Sequence, residues 1–173
     1  GVTPGTGVIS AADLKQLNLD TTGVITLGNN VTEVTGLHAD VSAVLTADGV
    51  ANGLVDGTLD ARAVQNNGNP NQIDPIQLTV TDAITVAEAN ALLTGTNGVV
   101  KATISDGDLA TLLTTVNNTN MPGLNQAANG DHEAGNILSV TITDSEVTAT
   151  QLVDLDSRTD GVVTVNNTTT LKG

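Results

Sequence analysis

The sequence predicts a repetitive α/β fold, with short parallel β-strands alternating with short helices in a solenoid-like arrangement. Three observations point there. The phrases "ISAADLKQLNLDTTGVI" (9–25), "ITVAEANALLTGTNGVV" (84–100) and "VTATQLVDLDSRTDGVV" (147–163) align without a gap. The chain contains no Phe, Tyr or Trp. Its core is therefore expected to be thin and filled by short branched side chains, as in stacked units that bury their apolar faces only against neighbours. Strand-like and helix-like stretches alternate, which favours parallel strands joined by right-handed crossovers. The alternative is an all-β sandwich of the same short strands with short helices. A single repeat-built domain over 1–173 is predicted, interrupted by polar insertions at 65–75 and 117–136.

Each phrase opens on a hydroxyl, Ser10, Thr85 or Thr148, followed three residues later by Asp13, Glu88 or Gln151. That is the capping-box pattern, in which the hydroxyl takes a free amide and the longer side chain reaches back. Asp13 is the weakest match because its side chain is shorter. Leu14 and Leu17, Ala89 and Leu92, and Leu152 and Leu155 follow at helical spacing. Each phrase thus predicts a helix of about two turns that depends on packing for its stability. Gly23, Gly98 and Gly161 come next, preceded by Thr21-Thr22, Thr96-Asn97 and Thr159-Asp160. A turn is predicted there, with glycine expected to supply a positive φ. The β-branched runs "GVITL" (23–27), "GVVKATI" (98–104) and "GVVTV" (161–165) then read as strands.

Between the phrases, "IQLTVTDA" (76–83) and "LSVTITDS" (138–145) read as strands whose Thr-Asp ends form a turn or cap. "HADVSAVLTA" (38–47) and "GDLATLLTTV" (107–116) read as short helices. The tracts "QNNGNPNQIDP" (65–75) and "NNTNMPGLNQAANGDHEAGN" (117–136) are rich in Asn and Gly and hold no core. Insertions of this kind in a repeat array form loops, often on the face that meets partners.

Composition excludes several classes. With 19 acidic against 5 basic residues, the net charge is −14, which repels nucleic acid and anionic membrane surfaces. There is no Cys, hence no disulfide, thiolate metal site or cysteine nucleophile. No apolar run approaches the ~18 residues of a membrane span. The chain begins at Gly1, the expectation for a processed chain or a fragment.

No catalytic constellation assembles. His38 and His132 are far apart, and "GDHE" (130–133) lies in the most irregular tract with no second His at ligand spacing. There is no nucleophile elbow, P-loop or dinucleotide fingerprint. Calcium is the better chemical candidate. Asp154, Asp156 and Asp160 lie close together in "DLDSRTDG" (154–161), and Asp106 and Asp108 in "ISDGD" (104–108). Hard cations take several such oxygens. Arg158 sits inside the first cluster, however, and the acids do not recur in the other phrases, so turn formation is the simpler account. The Thr runs form no constant ladder of the kind that matches ice. Asn-x-Thr sequons occur at Asn30 and Asn167.

The phrases resemble the tandem units of very long bacterial surface proteins, frequent in marine cyanobacteria, of the form "DLNxLDxxTxGxVxAxxVTTLTGTAADV". The counterparts here are "DLKQLNLDTTGVITLGNNVTEVTGLHADV" (13–41) and "QLVDLDSRTDGVVTVNNTTTLKG" (151–173). The resemblance covers about half of the chain and omits the two polar tracts. It implies an extracellular location and kinship with adhesins, surface layers and extracellular fibres, and it brings no catalytic residues. Calcium binding does not come with it, because the "GGxGxDxUx" nonapeptide of the repeats that often accompany such units is absent.

The leading expectation is therefore a secreted structural protein whose copies associate with one another. Open strand edges would act as templates for the next subunit. The half-repeat "VTVNNTTTLKG" would await completion, and the Gly-rich start "GVTPGTGVIS" would act as a pairing arm. The second expectation is a monomeric adhesin module that binds a glycan or calcium through the polar tracts. An enzyme is not expected.

Overall fold

A computed structural model describes residues 7–27, 31–47, 76–96, 98–115, 136–166 and 170–173. Several sequence expectations lie outside these residues. They are Gly1–Thr6 of the N-terminal arm, the tract at 65–75, the tract at 117–136 up to its last residue, His132 with "GDHE", and the sequons at Asn30 and Asn167.

The elements alternate as expected. In chain order they are β1 (Val8–Ser10), α1 (Ala11–Asp20), β2 (Glu33–Gly36), α2 (His38–Ala47), β3 (Gln77–Ile84), α3 (Val86–Gly95) and β4 (Val100–Ile104). Then follow α4 (Leu109–Thr115), β5 (Ile137–Ile142), β6 (Glu146–Thr148), α5 (Ala149–Asp156), β7 (Val163–Val165) and β8 (Thr170–Lys172). Hydrogen-bonded neighbours run in the order β1-β2-β3-β4-β5-β7, with β6 and β8 as a separate pair. The pairings β1–β2, β2–β3, β4–β5, β5–β7 and β6–β8 are parallel. The fold is thus α/β with a mostly parallel sheet, and the sandwich alternative gives way. Helices follow most strands because a parallel neighbour is reached only by a crossover.

The chain divides into two compact units. Residues 1–81 with 95–99 form one, and 82–94 with 100–173 form the other. In the first unit α1 packs on α2, and both pack on β2. Ala11, Leu14, Val34, Val41, Val44 and Leu78 are buried there. In the second unit α4 packs on α5, and β4 and β5 bury alternate residues: Val100, Ala102 and Ile104, then Leu138, Val140 and Ile142. The residues between them, such as Lys101, Thr103, Ser139 and Thr141, are exposed or half-buried. Period-two alternation therefore gives this sheet one apolar face and one polar face. Each fully buried Leu or Ile contributes about 1.5–3 kcal/mol, which suffices for a core without aromatic rings.

Caps fix the helix starts. At Thr85 and Thr148 the box closes in both directions. The Glu88 amide donates to Thr85 Oγ1 at 3.2 Å, and the Thr85 amide donates to Glu88 Oε2 at 2.8 Å. The Gln151 amide donates to Thr148 Oγ1 at 3.2 Å, and the Thr148 amide donates to Gln151 Oε1 at 2.9 Å. At Ser10 the forward bond, from the Asp13 amide, measures 3.3 Å.

Two expectations are corrected. First, among the described glycines only Gly7 has a positive φ, 70°, so Gly23, Gly98 and Gly161 do not serve as left-handed turn residues. A Cβ on Gly98 would collide with the Ile76 carbonyl, and one on Gly161 with the Leu138 backbone. These glycines are needed for close approach. The Thr two residues earlier shapes the turn: the amides of Gly23, Gly98 and Gly161 donate to Thr21, Thr96 and Thr159 Oγ1 at 3.0, 2.9 and 2.9 Å. Second, "GVITL" does not form a strand; only Ile25 makes a bridge. The counterpart runs are held by a neighbouring strand, with Leu78 N–H donating to Val99 O at 2.8 Å and Val140 N–H donating to Val162 O at 2.9 Å. Without an extended ladder the run around Ile25 stays irregular.

Candidate functional site

The acidic candidates are spread over separate structural tasks. Asp106 Oδ2 accepts the Val86 amide at 2.6 Å and so caps α3 from the end of β4. Asp108 Oδ1 accepts the Thr111 amide at 2.9 Å and caps α4. Bonds from the Thr111 amide and hydroxyl hold the Asp108 carboxyl below its ordinary pKa. Asp154 faces Arg158 in a two-point pair, Nε–Oδ1 at 3.0 Å and Nη2–Oδ2 at 3.2 Å. Asp156 and Asp160 are exposed, and the Asp160 amide donates to Asn136 O at 2.9 Å. Among the described residues, no three His, Asp or Glu side chains gather where one cation could be held. The structure thus brings none of the five candidates together as a ligand set.

Sequence reasoning missed a cap that acts across elements. Asp144 Oδ2 accepts the Leu109 amide of α4 at 2.7 Å. Asp106 and Asp144 therefore do the same work, each standing at a strand end and capping the helix that precedes its strand. The signal was the recurring Thr-Ile-Ser-Asp106 and Thr-Ile-Thr-Asp144, since a short acidic side chain after an extended run is well placed to receive an adjacent helix N-terminus.

Asn136 and Thr159 form a buried polar joint in the second unit. Asn136 Oδ1 accepts the Val100 amide at 2.9 Å. Thr159 Oγ1 accepts the Leu138 amide at 2.8 Å and points its hydrogen at the carbonyls of Leu138 and Asn136, 2.9 and 3.1 Å away. Such a joint fixes strand register, because Asn136 Oδ1 and Thr159 Oγ1 both hold backbone groups of neighbouring strands. In the first unit a cavity of about 210 Å³ opens between α1 and α2, lined by Leu14, Lys15, Asn18, Leu19, Val44 and Ala47 among others. It holds no pairing of acid, base and nucleophile.

Among the described residues, the large exposed apolar side chains are Leu37, between β2 and α2, and two sets nearer the chain ends. Val8, Leu17, Leu19 and Val24 lie on or beside β1 and α1. Val153, Val162, Val165 and Leu171 lie on or beside α5, β7 and β8. The C-terminal set includes Val165 and Leu171 of the half-repeat singled out in the sequence. No helix among the described residues is long and apolar enough to cross a membrane. No family model matches the chain, and no curated protein or solved structure matches it either.

Proposed function

We propose that this chain is a structural protein of a bacterial surface, a subunit or segment of a fibre, sheath or surface layer that associates with itself through its strand edges. Its phrases stack as successive layers of a solenoid-like body, and its place is outside the cell. The carrying observation is the apolar exposure on and beside β1 and β7, the edges of the six-stranded order, and on β8 of the separate pair. An edge strand offers unpaired backbone groups, and apolar side chains beside it make a second strand or layer the favoured neighbour. Among the described residues, Asp106, Asp108 and Asp144 are engaged as helix caps and Asp154 in an ion pair with Arg158.

Electron microscopy of the purified chain, combined with light scattering over a range of concentrations, tests the proposal. Regular fibres or sheets are expected. Dispersed monomers at every concentration overturn it and leave a binding module of a larger surface protein as the reading. Repeating the measurement with calcium and with a chelator assigns any role to the exposed Asp residues, and an unchanged assembly and melting temperature would end the calcium idea.

A further inference from the structure

The cavity between α1 and α2 takes no part in the association proposed above, yet its walls are those of a binding site. Two helix faces build it. Leu14, Lys15, Asn18 and Leu19 stand at i, i+1, i+4 and i+5 of α1, and Ala43, Val44 and Ala47 at i, i+1 and i+4 of α2. Each set therefore lies along one side of its helix. Leu14 and Val44 are buried and form the inner wall, while Leu19 is exposed at the mouth. Ala43 and Ala47 stand one turn apart on α2 and carry only a methyl group each, which leaves the space between the helices unfilled.

Folded interiors leave few voids larger than one water, whereas this one measures about 210 Å³. An apolar cavity of about 150 Å³ takes up benzene, and at about 30 Å³ for each water-sized group this one accepts about seven non-hydrogen atoms. Water is a poor occupant, because a held water needs several polar partners and five of the seven lining side chains are Leu, Val or Ala. The polar residues on the wall select the chemistry. Lys15 Nζ donates to Asp40 Oδ1 at 2.7 Å, from α1 to α2. That cation is already matched, and a charged ligand finds no counter-charge. Asn18 differs: its Oδ1 is closed to water and has no hydrogen-bond partner among the described residues. A buried acceptor left unmatched is costly, and a donor brought by a ligand removes that cost.

We propose that this cavity binds a small neutral molecule with an apolar body and one hydroxyl, of the size of an aliphatic alcohol with about six carbons. Its chain lies against Leu14, Val44 and the two alanines, and its O–H donates to Asn18 Oδ1. The bound molecule stabilises the α1–α2 pair, because the site exists only in the folded unit. Site and ligand are independent of the self-association proposed above.

The probe is 1-hexanol, followed by amide NMR of the full chain. In the parent, saturable shifts are expected at Leu14, Asn18, Val44 and Ala47, with a melting temperature that rises as the site fills. Ala43→Leu and Ala47→Leu each occupy the space and are expected to lose those shifts while keeping the parent's circular dichroism spectrum. Two filling variants are used so that overpacking in one does not decide the result. Asn18→Leu removes the acceptor and keeps an apolar wall. It is expected to weaken hexanol about 2- to 10-fold, as one net hydrogen bond would, and to leave the binding of benzene, which has no hydroxyl, unchanged. A parent with no saturable shift overturns the proposal, as does undiminished binding by a natively folded Ala43→Leu or Ala47→Leu. Hexanol binding that Asn18→Leu leaves unchanged, or an equal loss of hexanol and benzene, overturns the assignment of the hydroxyl to Asn18.

Discussion

Gly161 and Gly23 hold the same place in their phrases but have different neighbours. Replacing Gly161 with Ala drives a methyl group into the Leu138 backbone, and a loss of about 1–3 kcal/mol is expected in urea unfolding. Gly23→Ala brings a methyl group to ordinary contact with Thr21 Oγ1, at 3.4 Å, and is expected to stay within about 0.5 kcal/mol of the parent. Sequence reasoning found all three glycines but assigned them left-handed backbone, because a turn glycine and a close-approach glycine look alike until the opposing strand is placed. Which group a carboxylate serves was hidden for a related reason. Asp106 and Asp108 are neighbours in sequence but serve different helices. Asp106→Ala is expected to cost about 1 kcal/mol through the lost α3 cap, measured in the same urea experiment. Asp108 has its folded pKa lowered by bonds from Thr111. Its contribution is therefore complete above the unfolded value of about 3.9 and is lost as pH falls through the folded value. Carboxyl NMR should place its midpoint below about 3.9, and Thr111→Val should raise it.

Among the elements, helices were the most legible. The prediction of 38–47 coincides with α2, and "GDLATLLTTV" contains α4. Caps and apolar spacing are local signals, so a helix can be read from a short window. Strands were legible only where a neighbour exists. The runs after Gly98 and Gly161 became β4 and β7, while "GVITL", with the same composition, kept one bridge at Ile25. A β-rich run states a capacity, and the partner decides whether it is used. The same distinction separates Leu92 from Leu17. Leu92→Ala is expected to cost about 2–5 kcal/mol by chemical denaturation, because it empties a closed site. Leu17→Ala is expected to cost the monomer less than about 1 kcal/mol, since that side chain is already partly in water.

On the scale of the whole molecule, alternation of element types gave the α/β class, while the division into two compact units had no counterpart in the sequence pattern. The net charge of −14 sets a condition on any association between copies. Like-charged chains repel, and screening over about 8 Å at physiological salt removes much of that repulsion. Assembly is therefore expected to be slow at low ionic strength and faster as salt is added, followed by the scattering half-time. An opposite trend would mean that attractive ion pairs carry the contact. The strand order has a mechanical corollary. Each pairing described here joins segments with a helix or a loop between them in the chain, and the first and last strands of the order are its edges. Tension applied through the two chain ends therefore loads β1 and β8, the first and last strands along the chain, and peels their ladders a few bonds at a time. A single molecule held between optical traps should lengthen in small successive slips at low load rather than in one abrupt rupture, behaving as a yielding tether.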